Sequence, residues 1–231
     1  MHGSGHGAWC WRDVVPQLEA MGHTAVAIDL PSHGQDNTPA NQITLDAYRD
    51  AVLAHSTPET ILVGHSMGGF PIGAAANHAP DAMRGLVFLC AYAPQSGLSL
   101  AQMRRQAPRQ PLMAAISKSE DGKTFSVDPV AARDLFYHDC PQEAADYAVA
   151  RLCPQAILPQ ETPIDLTPAY ADVPKAYIRC SDDRTIPPEF QITMTEDWPA
   201  ETVYTMACSH SPFFAKPAEL AQLLDRIEKG M

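Results

Sequence analysis

The stretch Thr60 to Gly69, reading Thr-Ile-Leu-Val-Gly-His-Ser-Met-Gly-Gly, constrains the fold more than any other part of the chain. An apolar run of strand length, Thr60–Val63, leads into Gly64-His65-Ser66-Met67-Gly68, and an Ala-rich helical pattern follows over Phe70–His78. A G-x-S-x-G elbow of this kind turns a strand directly into a helix and lifts the serine hydroxyl above the sheet. A Cβ at Gly64 or Gly68 would crowd such a turn. A strand that becomes a helix with so little chain between them calls for a layered α/β arrangement.

The remaining sequence supplies that arrangement. Further apolar runs lie at Thr24–Leu30, Gly85–Ala91, Ala176–Cys180 and Thr202–Ala207. Near-continuous apolar strands are what a parallel sheet buried on both faces requires. Helical periodicity falls between them. Leu45, Tyr48, Val52 and Leu53 share one face of Thr44–His55, and Leu220, Leu223, Leu224 and Ile227 share one near the C-terminus. The alternation predicts an α/β fold with a mostly parallel, doubly wound sheet. At 231 residues the chain fits one such domain.

Between Ala91 and Lys175 the rhythm stops. No strand pattern shows, and prolines punctuate the stretch from Pro94 to Pro168. Short helices fit at Pro129–Tyr137 and Gln142–Leu152. A structureless loop of this length is uncommon in a compact domain. The reading is a small helical cap, residues 94–170, inserted before the strand at Ala176–Cys180 and dividing the core into residues 1–93 and 171–231. Its Met103, Met113, Phe125, Phe136, Tyr137 and Tyr147 are candidates to line an apolar pocket, or simply to pack the cap on the sheet.

The opening, Met1-His2-Gly3-Ser4-Gly5-His6-Gly7-Ala8-Trp9, is unusual. In this architecture a His-Gly loop follows a central strand, and here no strand pattern comes before it. A start upstream of Met1 is expected. The alternative, a sheet without that strand, leaves two neighbours with unpaired ladders.

Composition excludes several classes of function. The net charge of −11 argues against nucleic acid or an anionic membrane surface as a partner. No apolar run reaches the roughly 18 residues of a membrane span. The first residues lack the basic-then-apolar pattern of a secretory signal. Six scattered cysteines, none at zinc-finger spacing, read as reduced thiols of a cytoplasmic protein, with Cys140 and Cys153 the one pair placed to meet.

The serine at the elbow needs a base to take its proton, and the base needs an orienting carboxylate. In this architecture the acid and then the histidine follow the serine along the chain. Ser181-Asp182-Asp183-Arg184-Thr185-Ile186-Pro187 follows one strand and offers two acids. Asp183 is four residues before Pro187, the favoured Asp-x-x-x-Pro spacing, and Asp182 is one residue too early. His210 follows the last strand and alone among nine histidines lies both beyond the acid and at a strand end. Ser66, Asp183 and His210 are thus the candidate catalytic set. The backbone N–H groups of Met67 and Ser4 are the candidate donors to a developing oxyanion. His2 and His6 are four apart, but the intervening glycines disfavour a helix and no carboxylate pairs with them. No metal and no cofactor is expected.

With these residues placed, the sequence resembles the α/β-hydrolases, and among them the branch of plant methyl-ester esterases and hydroxynitrile lyases. The resemblance rests on His2–Trp9, on Gly64–Gly69, on Tyr177-Ile178 through Ile186-Pro187-Pro188-Glu189-Phe190-Gln191, and on His210. It again gives Asp183 the acid position. It implies a serine hydrolase that cleaves a small-molecule carboxylic ester through an acyl-enzyme. The lyases of this branch carry threonine after the first histidine of the opening loop and lysine after the catalytic histidine. Gly3 and Ser211 stand there instead, which implies an esterase. Lactone opening, cyanohydrin cleavage at the same residues, and ligand binding without turnover are the alternatives.

Overall fold

A computed structural model describes residues 1–231. Seven strands follow one another along the chain: β1 (Ile61–His65), β2 (Gly85–Leu89), β3 (Ile116–Lys118), β4 (Thr124–Val127), β5 (Gln155–Ala156), β6 (Lys175–Cys180) and β7 (Val203–Met206). β1, β2, β6 and β7 form the main sheet in that spatial order, all parallel.

Both faces of this sheet are covered. Along β2, Leu86 and Phe88 point into one core with Phe70, Ile72 and Tyr48, while Val87 and Leu89 point into the other with Trp11, Phe213 and Leu220. Alternate residues feed opposite cores, so all five residues of β2 are buried and the run reads as unbroken hydrophobicity. The helices Leu45–Leu53 and Gly69–His78 cover the first face. Thr44 caps the former, its side chain accepting from the Ala47 amide at 3.1 Å. The C-terminal helix Pro217–Gly230 covers the second face and buries the predicted Leu220, Leu223, Leu224 and Ile227. No helix is long and apolar enough to cross a membrane.

Two expectations are corrected. The run Thr24–Leu30 forms no strand and belongs to no ladder. Between it and β1 lies a cavity of about 550 Å³, bordered by Ala25–Ile28, Ile61–Val63, Val14 and Leu224. β-propensity prepares a segment to pair, but a strand exists only when a neighbour takes its N–H and C=O groups. Met1 closes one end of this slot: its amino group donates to Val63 O, and the His65 N–H donates to Met1 O at 3.1 Å.

The second correction concerns residues 94–170. The stretch is helical at Leu100–Gln106, Pro129–Tyr137, Gln142–Val149 and Leu158–Glu161, but it also holds a three-stranded antiparallel sheet, β3-β4-β5. Its strands of two to four residues are too short to show an alternating pattern. Only Phe125 of β4 is buried. An isolated antiparallel bridge, Leu98 to Ile164, ties the two ends of the stretch together.

Candidate active site

At the end of β1 the chain takes the turn that its glycines permit. Ser66 has φ +55°, the left-handed region that side chains seldom occupy. A Cβ on Gly64 would come to 2.5 Å from Gly68 O, and one on Gly68 to 2.7 Å from His2 O. The close approach of the opening loop is equally demanding, since a Cβ on Gly3 would meet Ser66 Cβ at 2.8 Å. The first loop therefore lies directly on the serine. The Ser66 carbonyl accepts from the Tyr92 N–H at 3.1 Å, joining the elbow to the loop after β2.

Asp183 and His210 come from the ends of β6 and β7 and meet beneath the surface. His210 Nδ1 lies 2.7 Å from Asp183 Oδ2, and both side chains are almost wholly buried. The Asp183 carboxylate also accepts from the N–H groups of Thr185 (2.7 Å) and Ile186 (2.9 Å) and from Gln191 Nε2 (2.9 Å). With all of these donors directed at it, the carboxylate acts here as an acceptor. The shared proton therefore sits on His210 Nδ1, leaving the Nε2 lone pair free. Asp182 plays no part here: it is exposed and faces His138 Nε2 at 3.0 Å. His65 Nε2 donates to the His210 carbonyl at 2.7 Å, which anchors the histidine's own backbone.

Ser66, His210, Met67 and Ser4 line one cleft. No hydrogen bond joins Ser66 Oγ to His210 Nε2. Such contacts are often long before substrate arrives. The Ser4 N–H has no partner within the protein. Met67 opens a helical turn, where its N–H has no intrahelical acceptor. His6 holds the Ser4 turn: its Nδ1 lies 2.7 Å from Ser4 O, and its Nε2 lies 2.6 Å from the Tyr137 hydroxyl. A carbonyl can only accept, so Nδ1 carries the proton and Nε2 accepts from Tyr137. This arrangement suits a neutral ring, and burial pushes the His6 pKa down to about 4. His2 Nε2 accepts from the Leu30 N–H at 3.1 Å, and burial holds its pKa well down too.

The cleft is narrow, with free volume of about 20 Å³, room for roughly one water molecule. Of the six apolar and aromatic candidates from residues 94–170, only Phe136 borders it. Met103 and Phe125 are buried elsewhere, Met113 is exposed, Tyr147 packs against Phe214, and Tyr137 reaches the site only through His6. Three other contributors carry no local sequence signal: Gln191, Gln160 and Arg104. Gln160 Nε2 donates to Ser4 Oγ at 2.8 Å, and Arg104 borders the cleft. Gln191 belongs to the Pro-Glu-Phe-Gln stretch that carries the resemblance, but nothing in that stretch points to its contact with Asp183.

His65, Cys90 and His210 place donor atoms within 4.8 Å of one another. They suit a cation poorly. Burial pushes the Cys90 thiol up to about 12, and His65 Nε2 is already committed to a carbonyl. All six cysteines are free, Cys140 and Cys153 among them.

A family model described as "Alpha/beta hydrolase family" matches residues 1–223. Methylesterase 1 of Arabidopsis thaliana is 30% identical, over 98% of this chain and 94% of its own. A pyrethroid hydrolase of Sphingobium wenxiniae is 29% identical, over 97% and 84%. Among solved structures, a pyrethroid hydrolase from Sphingobium faniae JZ-2 superposes with a TM-score of 0.87 at 28% identity, covering 99% of this chain and 95% of that one.

Proposed function

The chain belongs to the alpha/beta hydrolase family, and on that footing we propose that it is a serine hydrolase of small carboxylic esters, working through an acyl-enzyme. The observation that carries this reading is the buried Asp183–His210 pair beside a serine held at positive φ. His210 Nε2 takes the Ser66 proton as Oγ attacks the ester carbonyl. The carbonyl oxygen becomes an oxyanion and accepts from the Ser4 and Met67 N–H groups. The C–O bond to the alcohol breaks, and the alcohol leaves with the proton from His210. Water then gives a proton to His210 Nε2 and attacks the acyl carbon. The acid departs as Ser66 recovers its proton.

Each part has a scale. A positioned base contributes roughly 10²–10⁴-fold. An oxyanion donor contributes about 10²–10³-fold. Asp183 keeps His210 in the productive tautomer and stabilises its charged form. The relatives named methylesterase and pyrethroid hydrolase support esters as the substrate class. Cyanohydrin cleavage is disfavoured by Ser211, whose buried hydroxyl has no partner and brings no charge beside His210.

The test is hydrolysis of p-nitrophenyl esters from acetate to octanoate, with Ser66→Ala alongside the wild type. Rapid release by the wild type, lost in a folded Ser66→Ala protein, is expected. Release that survives the substitution at near wild-type rate refutes the assignment of Ser66.

A further inference from the structure

The cleft contains one permanently charged side chain, and nothing in the protein neutralises it. Arg104 lies in the last turn of the helix Leu100–Gln106, whose start is fixed by a Ser99/Gln102 capping box. Leu100 and Met103 on the same helix are buried in the core. Their packing sets the rotation of the helix and turns Arg104 to the cleft that holds Ser66 and His210.

Arg104 Nε is buried and has no hydrogen-bond partner. No carboxylate stands within ion-pair distance of the guanidinium; Arg105, Arg151, Arg179 and Arg226 also lack an ion pair, but none of them borders the cleft. The absence is notable in a chain of net charge −11. The residues bordering the cleft include no acid, and Asp183 behind His210 is already saturated with donors. A buried Nε–H without an acceptor is costly, and the cost is recovered when an anion arrives. Its planar fork fits a carboxylate through two parallel N–H···O bonds. The favourable contact of a cation with a helix C-terminus explains an arginine in this turn. It does not explain an Nε buried at the cleft without a partner.

We propose that the Ser66 cleft takes esters carrying a second, ionised carboxylate, which Arg104 holds while the ester carbonyl meets Ser66. The inference rests on the reading of this cleft as an ester-hydrolysing site and names its substrate class. Arg104 and Leu112 are only partly buried and stand at the mouth.

The experiment compares monomethyl adipate with methyl hexanoate, matched in acyl length and differing in the terminal carboxylate. Hydrolysis is followed by proton release at pH 7.5. The acetyl ester of glycolic acid against ethyl acetate repeats the comparison with the charge on the alcohol side. The expected result is a preference in kcat/KM for the anionic member of one pair of about tenfold or more, falling as salt is added. Arg104→Gln collapses that ratio and Arg104→Lys restores part of it. Arg105→Gln, the same charge change on an exposed neighbour, leaves it intact. Calorimetric titration of adipate into Ser66→Ala protein gives a readout independent of turnover, with binding abolished in Ser66→Ala/Arg104→Gln. Hydrolysis of the neutral esters with no anionic preference overturns the proposal and leaves the esterase reading standing. No hydrolysis of any ester by folded protein sinks the esterase reading, and the adipate titration then decides the role of Arg104: no Arg104-dependent binding overturns it.

Discussion

Acidification from pH 7.5 to 5.0 should weaken the fold through histidines buried in the neutral state. His6 is the quantifiable case. It is 2% exposed, and burial holds its pKa at about 4, against 6.5 for an unfolded chain. The hydrogen bond to Ser4 O opposes this shift, and the neighbouring His33 and His210 rings add to it. The sign follows from proton counting. Below pH 6.5 the unfolded chain takes up a proton that the folded protein refuses until about pH 4, so stability is complete above 6.5 and declines as pH falls through that window. At about 1.4 kcal/mol per pH unit, the descent to pH 5.0 costs about 2 kcal/mol from His6 alone. His2 and His65 are fully buried and shifted in the same direction, so they add to the loss. Domains of this kind are stable by about 5–15 kcal/mol, so the combined effect is a large share of the total.

Urea unfolding at pH 7.5, 6.5, 5.5 and 5.0, extrapolated linearly to water, measures the loss. Burial pushes the Met1 amino group down to about 5, so it adds to the loss in the same direction, whereas the carboxylates held low by hydrogen bonds and ion pairs, Asp36, Asp50, Asp121, Asp225 and Glu189, lose their contribution only at lower pH. In His6→Gln the difference between pH 7.5 and 5.0 should shrink by about 2 kcal/mol, whatever the variant's absolute stability. A wild-type stability constant to within about 1 kcal/mol across this range would refute the reasoning. The Ser4 turn should loosen along with His6, because a charged ring presents a second N–H to the Tyr137 hydroxyl that now donates to it.

Two further outcomes follow from the geometry. Gln191→Leu removes one donor from Asp183 Oδ2 and leaves the Cys180 N–H, which donates to Gln191 Oε1 at 2.9 Å, without an acceptor. It should destabilise the protein by about 1–3 kcal/mol and lower kcat more than it raises KM, with Gln191→Glu no substitute, since it sets a second carboxylate against Asp183. In hydrogen exchange, the amides of residues 24–29, which no carbonyl of the protein accepts, should exchange far faster than those of β2, paired on both sides. Equal protection of the two segments would show that 24–30 is held by something other than a ladder.

The parts of the site legible in the sequence are those whose geometry is local. The elbow is written in Gly64, Ser66 and Gly68, because a turn needing positive φ and two missing side chains leaves a mark within five residues. Asp183 is readable from its distance to Pro187, because the loop between them turns back on the carboxylate, with the Thr185 and Ile186 N–H groups donating to it. The run Thr24–Leu30 misleads for the complementary reason: its residues suit a strand, but pairing depends on a neighbour that no pattern within the segment reports.

The same distinction separates the chemistry of this protein from its selectivity. Ser66 follows β1 directly, while Asp183 and His210 lie on the loops just beyond β6 and β7, neighbouring strands whose parallel pairing sets those two loops side by side. Gln160 and Arg104 reach the cleft from short helices between β2 and β6, held there by packing of Leu100, Met103 and the Leu98–Ile164 bridge. Nothing beside Arg104 in the sequence, Met103-Arg104-Arg105, distinguishes the arginine at the cleft from its exposed neighbour. The rotation of one helix makes the difference. On the roles proposed for Ser66 and Arg104, substitution of Met103 on the buried side of this helix should lower the ratio of anionic to neutral ester turnover while neutral-ester turnover persists.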